Sequence, residues 1–308
     1  MAGTAALEPA HHHAPAGASD RRRLTVTLAL IVTFMAVEVA AGLVAHSLAL
    51  LSDAGHMLTD AGALGFALVA SVVASRPASG PYTFGLRRAE ILSAQANGGT
   101  LLVVSAFILY GAVRRLISPP DVDGAVVLAV AIAGIAVNLA ATRILGGGER
   151  RSLNLEGAFQ HVLTDLYAFA GTALAAIVII ATGFDRADPI ASLAVVALML
   201  RAAWGLLWAS GRVFMEAAPA GVDPAAIGQA LASAPGVVEV HDLHVWEVTS
   251  GFPALSAHVR VTRDSDCHDA RRRLERLLRE RFRLEHTTLQ MEHEEPLLLQ
   301  IEEPPANP

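Results

Sequence analysis

The chain has 308 residues, of which 53% are hydrophobic and 17% are charged, and its mean hydropathy is +0.47. A soluble domain averages about 25% charged residues, so this composition indicates a membrane protein. The net charge of −6 gives no support to nucleic-acid binding, and the one cysteine, Cys267, excludes both an intramolecular disulfide and a cysteine-rich metal site.

Six apolar stretches follow an N-terminal segment rich in alanine, proline and histidine. Each is long enough to cross a bilayer, for which a helix needs about 20 mostly apolar residues. We predict a disordered tail over residues 1–20 and a six-helix transmembrane transport domain over residues 21–215. The predicted spans are Leu24–Ala45, Leu48–Ala74, Ala89–Leu116, Gly124–Leu145, Leu155–Thr182 and Pro189–Phe214.

Arginines near the span ends predict the orientation, because Lys and Arg concentrate on the cytoplasmic side of a membrane. They precede the first span and fill the second-to-third and fourth-to-fifth connections; the groups are Arg21–Arg23, then Arg76, Arg87 and Arg88, then Arg143, Arg150 and Arg151. The opposite connections hold fewer, although Arg114 and Arg115 depart from the pattern. We therefore expect a multi-pass protein of the cytoplasmic (inner) membrane with both termini in the cytosol.

Residues 220–293 are predicted to form a small cytosolic domain, because charged residues become frequent after Met215 and apolar runs shorten to strand length. The predicted elements are a helix capped by Asp223, strands over Val237–Val248 and Ala254–Val261, a helix over Asp266–Phe282 and a strand over His286–Glu292. This α-β-β-α-β order is typical of an α+β layer arrangement. Residues 294–308, rich in Pro and Glu, are predicted to be a disordered tail.

The string His-x-Leu-Thr-Asp occurs twice, each time inside a predicted span. Residues four apart on a helix share a face, so each copy presents an imidazole nitrogen beside a carboxylate oxygen. Two such helices supply the closed four-coordinate set that zinc favours. The alternative is a pair of helix-packing polar contacts, but ionisable groups at membrane depth are costly and indicate function. We predict a divalent-metal site for Zn²⁺, Co²⁺, Cd²⁺ or Ni²⁺ formed by His56, Asp60, His161 and Asp165.

The predicted cytosolic domain holds a second set of candidate metal ligands. They are His241, His244, His258, His286 and Glu292, with Asp242 and Cys267 as weaker candidates. One interpretation is a site, or several, at which the domain binds Zn²⁺ to sense or relay it. The other is a solvated, histidine-rich strand surface without a ligand.

The intramembrane ligands are also titratable, which bears on function. Metal binds neutral imidazole and ionised carboxylate, so loading displaces protons and couples metal movement to proton movement. No GxxxxGK[ST] loop is present to run an ATPase, and no His-Glu-x-x-His is present for a metalloprotease, so we do not expect an enzyme. The pattern favours a proton-driven metal antiporter. The alternative is a membrane-bound metal sensor that binds without translocating.

Four motifs together resemble the cation diffusion facilitators, specifically the zinc-transporting branch with the bacterial Czc-type exporters and the animal zinc transporters. The motifs are Ser52-Asp-Ala-Gly-His-Met-Leu-Thr-Asp60, Tyr82-Thr-Phe-Gly-Leu-Arg-Arg-Ala-Glu-Ile-Leu92, His161-Val-Leu-Thr-Asp165 and His241-Asp-Leu-His-Val-Trp246. The similarity extends from about Arg22 to Glu292.

This resemblance implies six spans, a ferredoxin-like cytosolic domain for metal binding and dimerisation, a homodimer, and metal efflux by alternating access in exchange for protons. It also implies that His56, Asp60, His161 and Asp165 form the transport site. The cytosolic ligands implied are His241 or His244, with His258, His286 and Glu292.

Overall fold

The structure, a computed structural model, describes residues 18–44, 48–118, 124–147 and 152–294. In the first two helices the side chains of residues 18, 38, 41, 42, 44, 48–56 and 59 lie outside this description. The tails predicted for 1–20 and 294–308 also fall outside the described ranges, apart from residues 18–20, which form the first turn of a helix, and residue 294.

Six long helices form the first of two compact units, whose described residues lie within 18–215 and 248–251. They are α1 (Ala18–Val44), α2 (Leu48–Ala74), α3 (Ala89–Ile117), α4 (Gly124–Gly146), α5 (Leu153–Thr182) and α6 (Ala187–Phe214). Within the described residues, α3, α4, α5 and α6 are long and apolar enough to cross a membrane. Four of the six predicted spans are thereby confirmed, and the count of six stays a prediction.

Five of the helices extend past the predicted spans at one end, because hydropathy marks only the part of a helix that lies in hydrocarbon; α2 has the predicted bounds. α1 begins at Ala18, six residues before the predicted Leu24, and carries three arginines in its first turns. α3 packs mainly along α6, α4 along α5, and α1 along α2. Large apolar side chains such as Phe107 and Trp204 point outward, where a bilayer solvates them at no cost.

The described residues of the second unit are 216–247 and 252–294. Its elements are α7 (Pro224–Ala232), β1 (Val237–Thr249), β2 (Phe252–Val261), α8 (Cys267–Phe282) and β3 (His286–His293). The predicted α-β-β-α-β order is therefore confirmed, with strand boundaries that agree within two residues.

The sheet of the second unit has the strand order β1-β2-β3, and β2 and β3 run parallel. A parallel pair needs a crossover connection, which α8 supplies. α8 begins where Asp266 accepts hydrogen bonds from the backbone N–H groups of His268 and Asp269, at 2.9 and 3.2 Å. Its buried residues Leu274 and Leu278 belong to the core cluster that also holds the inward residues of β2.

Candidate metal centres

α2 and α5 bring an imidazole between two carboxylates. His161 Nε2 donates to Asp60 Oδ1 at 3.0 Å and lies 3.8 Å from Asp165 Oδ2. Asp165 is one helical turn after His161, so the two share a face of α5, and Asp60 approaches from α2. The side chains of His161, Asp60 and Asp165 are 6%, 9% and 10% exposed, which closes the group to bulk water.

The spacing of these ligand atoms suits a small cation. Zinc bonds of about 2.0–2.2 Å to nitrogen and oxygen place tetrahedral ligand atoms about 3.4 Å apart. The two distances in the protein, 3.0 and 3.8 Å, lie on either side of that value. One ligand atom from each of the three residues falls within 4.8 Å of the others. Small side-chain movements would therefore let all three bind one ion.

The fourth residue predicted for this site, His56, belongs to α2, four residues before Asp60. Its side chain lies outside the described residues. The structure thus brings together Asp60, His161 and Asp165, and His56 stays a prediction.

A second group of ligands lies on the sheet of the second unit. His258 Nδ1 donates to Glu292 Oε1 at 2.7 Å, and His241 Nε2 lies 3.8 Å from Glu292 Oε2. The parallel register pairs Arg260 with Glu292, which places Glu292 on the same face as His258, two residues earlier on β2. The hydrogen bond from His258 holds the pKa of the Glu292 carboxyl below its ordinary value. These three side chains are about one-third exposed, so this group is open to solvent.

The other two predicted cytosolic ligands lie apart from this group. His244 is bonded to Asp242, with 2.9 Å between Nε2 and Oδ1. The ring of His286 contacts that of Phe252, with 5.4 Å between centroids and a tilt of 52° between the ring planes. His286 shares a face of β3 with Glu292 but lies six residues away, about 20 Å along the strand. Among the described residues, neither joins a group of three candidate ligands.

A buried carboxylate in the first unit received no role from the sequence. Glu90, in the first turn of α3, is 4% exposed, and its Oε2 accepts a hydrogen bond of 3.3 Å from Ser152 Oγ at the N-cap of α5. The signal available in the sequence was an acidic residue at the start of an apolar span, where a charge is costly.

Two family models match the chain and together cover most of it. The model described as the cation efflux transmembrane domain matches residues 24–215, and the one described as the cation efflux protein, cytoplasmic domain, matches residues 219–294.

Curated relatives match nearly the full length. A cadmium, cobalt and zinc/H(+)-K(+) antiporter of Bacillus velezensis is 39% identical over 92% of this chain and 91% of its own length. The zinc transporter ZitB of Pectobacterium atrosepticum and the metal cation efflux system protein CzcD of Cupriavidus metallidurans are each 39% identical over 92% of this chain and 89% of their own length. These relatives are metal-ion transporters and not enzymes. The chain belongs to the cation efflux family, in its zinc-transporting cation diffusion facilitator branch.

Proposed function

We propose that this protein is a proton-coupled antiporter that exports Zn²⁺ from the cytosol across the cytoplasmic membrane, with Co²⁺, Cd²⁺ and Ni²⁺ as further candidate cargo. The observation that carries the proposal is the closed group of Asp60, His161 and Asp165 within apolar helices. Uncompensated charge is costly in that setting, so the group needs a positively charged ligand to offset it. The names of the relatives, which specify zinc, cadmium and cobalt, support the choice of cargo.

The chemistry of the donor set supports proton coupling. A metal ion takes the imidazole as a neutral ligand and the carboxylates as anions, so protons held by His161, Asp60 or Asp165 leave when metal binds. The hydrogen bond between His161 Nε2 and Asp60 Oδ1 occupies the same atoms that would hold the metal. Proton and metal therefore compete for one site, which is the requirement for exchange.

Burial of the site implies alternating access. Side chains that are no more than 10% exposed cannot exchange a hydrated cation with either side without a change in helix packing. We assign the full transport site to His56, Asp60, His161 and Asp165. Mixed nitrogen and oxygen ligands favour zinc over the harder manganese and magnesium ions.

The second unit has a separate role in the proposal. We assign residues 220–293 to a cytosolic domain that binds metal through His241, His258 and Glu292 and joins two chains in a homodimer. Both termini then lie in the cytosol, as the arginine distribution predicts. Solvent exposure of this group suits reversible binding of cytosolic metal.

Reconstituted vesicles with an imposed pH gradient test the proposal directly. We expect zinc uptake that depends on the gradient and that Asp165→Asn abolishes. Gradient-independent binding of zinc without uptake would instead favour a membrane-bound sensor. Equal uptake by wild type and the Asp165→Asn variant would contradict the assignment of the site.

A further inference from the structure

We call the group of Asp60, His161 and Asp165 the membrane metal centre. Faces of three helices, α2, α3 and α5, meet beside it, toward the end of the first unit where α2 ends and α3 and α5 begin. On α5, Asn154 and Gly157 lie seven and four residues before His161, on one face. Asn154 Nδ2 donates to the carbonyl of Ala67 on α2 at 2.7 Å. A Cβ on Gly157 would lie 3.4 Å from Asn97 Nδ2, so α3 closely approaches the same face.

Buried polar groups follow these three faces for about 10 Å, the rise of seven helical residues. α3 contributes Glu90, Ser93 and Asn97, which are three and four residues apart and so share a face. α2 contributes Ser71, one turn after Ala67, and α5 contributes Asn154. We call these five residues the polar seam. Each is at most 4% exposed. The seam runs from the Glu90–Ser152 contact toward His161.

Every member of the polar seam has a buried side-chain atom without a hydrogen-bond partner among the described residues. The atoms are Ser71 Oγ, Glu90 Oε1, Ser93 Oγ, Asn97 Nδ2 and Asn154 Oδ1, and His161 Nδ1 continues the series. A buried polar atom that lacks a partner is costly. Water can satisfy every one of these atoms, whereas a cation can bind the oxygen atoms but not Asn97 Nδ2, which is a donor. The unsatisfied atoms therefore destabilise the closed packing of the polar seam relative to an open, hydrated arrangement.

Two other buried serines and a buried asparagine of the first unit, on α3, α6 and α4, have hydrogen-bond partners. Ser105 Oγ and Ser210 Oγ donate to carbonyls one turn back in their own helices, at 2.6 and 2.9 Å. Asn138 Nδ2 donates to the Gly134 carbonyl at 3.1 Å. Membrane helices commonly satisfy such groups in this way. Buried atoms without a partner among the described residues also occur at Thr27 and Thr142, in α1 and α4, so the polar seam is distinguished by having several of them together on three helices that contact one another.

We propose that the polar seam is the hydrated route by which the divalent cation reaches the membrane metal centre from the cytosolic side, with the Glu90–Ser152 contact as its closed gate. The Glu90 carboxylate at the outer end selects for cations. The Ser and Asn oxygens then replace part of the hydration shell as the ion moves inward. Separation of α3 from α5 opens the route. This inference rests on the proposed function for the identity of the cargo and for the side it comes from.

Thiol accessibility tests the route without requiring transport. In full-length protein with Cys267→Ser, single cysteines are introduced as Ser93→Cys or Asn154→Cys, and a membrane-impermeant maleimide is added to the proposed cytosolic side of oriented vesicles. Ser210→Cys is the matched control: Ser93 is the fifth residue of α3, Ser210 is fifth from the end of α6, and both are 0% exposed. Gel filtration verifies that each variant is folded, and Ser71→Cys replaces any that is not.

We expect the seam cysteines to react at least tenfold faster than the cysteine at position 210, and Glu90→Ala, which removes the gate, to raise their rate further. Seam cysteines that react no faster than the control would overturn the proposed route, even if zinc uptake by the wild-type protein is normal. Normal labelling of the seam in a protein that moves no zinc would instead contradict the proposed function. The two failures are therefore distinguishable.

Discussion

His161 Nε2 and Asp60 Oδ1 are 3.0 Å apart, although the two residues are separated by 101 positions in the chain. The contact joins α5 to α2 inside the membrane unit, where few other charged side chains are buried. It places the second His-x-Leu-Thr-Asp string directly against the aspartate of the first. One aspartate of the first string and both candidate ligands of the second therefore belong to one group.

Loss of either carboxylate should stop transport. We expect Asp60→Asn to lower zinc flux in proteoliposomes more than about 100-fold, the upper end of the cost of losing a group that merely orients a metal ligand. The isosteric change keeps the hydrogen-bonding shape but removes the charge that holds the ion. Asp188→Asn is the control. Asp188 lies in the first turn of α6 and pairs with Arg115 at 3.3 Å, so this substitution should leave flux unchanged. Flux in the Asp60→Asn variant equal to that of the control would remove Asp60 from the site.

Exchange of nitrogen for oxygen at position 56 should change selectivity. His56→Asp replaces a borderline ligand by a hard one, so competition between zinc and manganese should shift toward manganese. The measurement is zinc uptake at increasing manganese concentration, with wild type as reference. An unchanged competition profile would show that His56 does not bind the cargo.

The two candidate centres differ in how much of them could be predicted from sequence. The membrane group follows from local helical periodicity, which places His161 and Asp165 side by side whatever the rest of the fold does. On the sheet, alternation predicts only the face, and His286 and Glu292 share that face while lying about 20 Å apart. Which of them meets His258 depends on the register of β2 and β3. The unsatisfied atoms of the polar seam depend on packing between three helices, which sequence periodicity does not specify.

The group on the second unit should bind a metal ion of its own. In a full-length protein with Asp60→Asn and Asp165→Asn, titration calorimetry should still detect about one zinc per chain, because the three ligands on the sheet are unaffected. Adding His258→Ala should remove that binding. Adding His286→Ala should leave the binding unchanged, because the His286 ring contacts Phe252 and not the three ligands. If His258→Ala and His286→Ala each abolish zinc binding, the metal lies elsewhere on the sheet.

The stability of the second unit should fall in acid through Glu292. Because the bond from His258 lowers the pKa of this carboxyl in the folded protein below its ordinary 4.5, its stabilisation is fully present above that value. The stabilisation is lost as the pH falls through the lowered pKa. Amide exchange in β2 and β3 should therefore accelerate below about pH 4.5, the ordinary value. Glu292→Gln should flatten the dependence in that window, and an unaltered profile would contradict the assignment.

A methyl group at position 134 should disrupt the packing of α4 against α5. A Cβ there would lie 2.4 Å from the ring of Phe169, closer than any real contact, so the ring must move. Overpacking of this kind costs about 1–3 kcal/mol, and Gly134→Ala should lower the melting temperature in detergent accordingly. Gly111→Ala is the control, since nothing lies within 4 Å of its added methyl. Phe169→Leu should restore part of the loss in the Gly134→Ala background, because a smaller side chain leaves room for the methyl; equal melting of the two alanine variants would show that the helices can separate freely here.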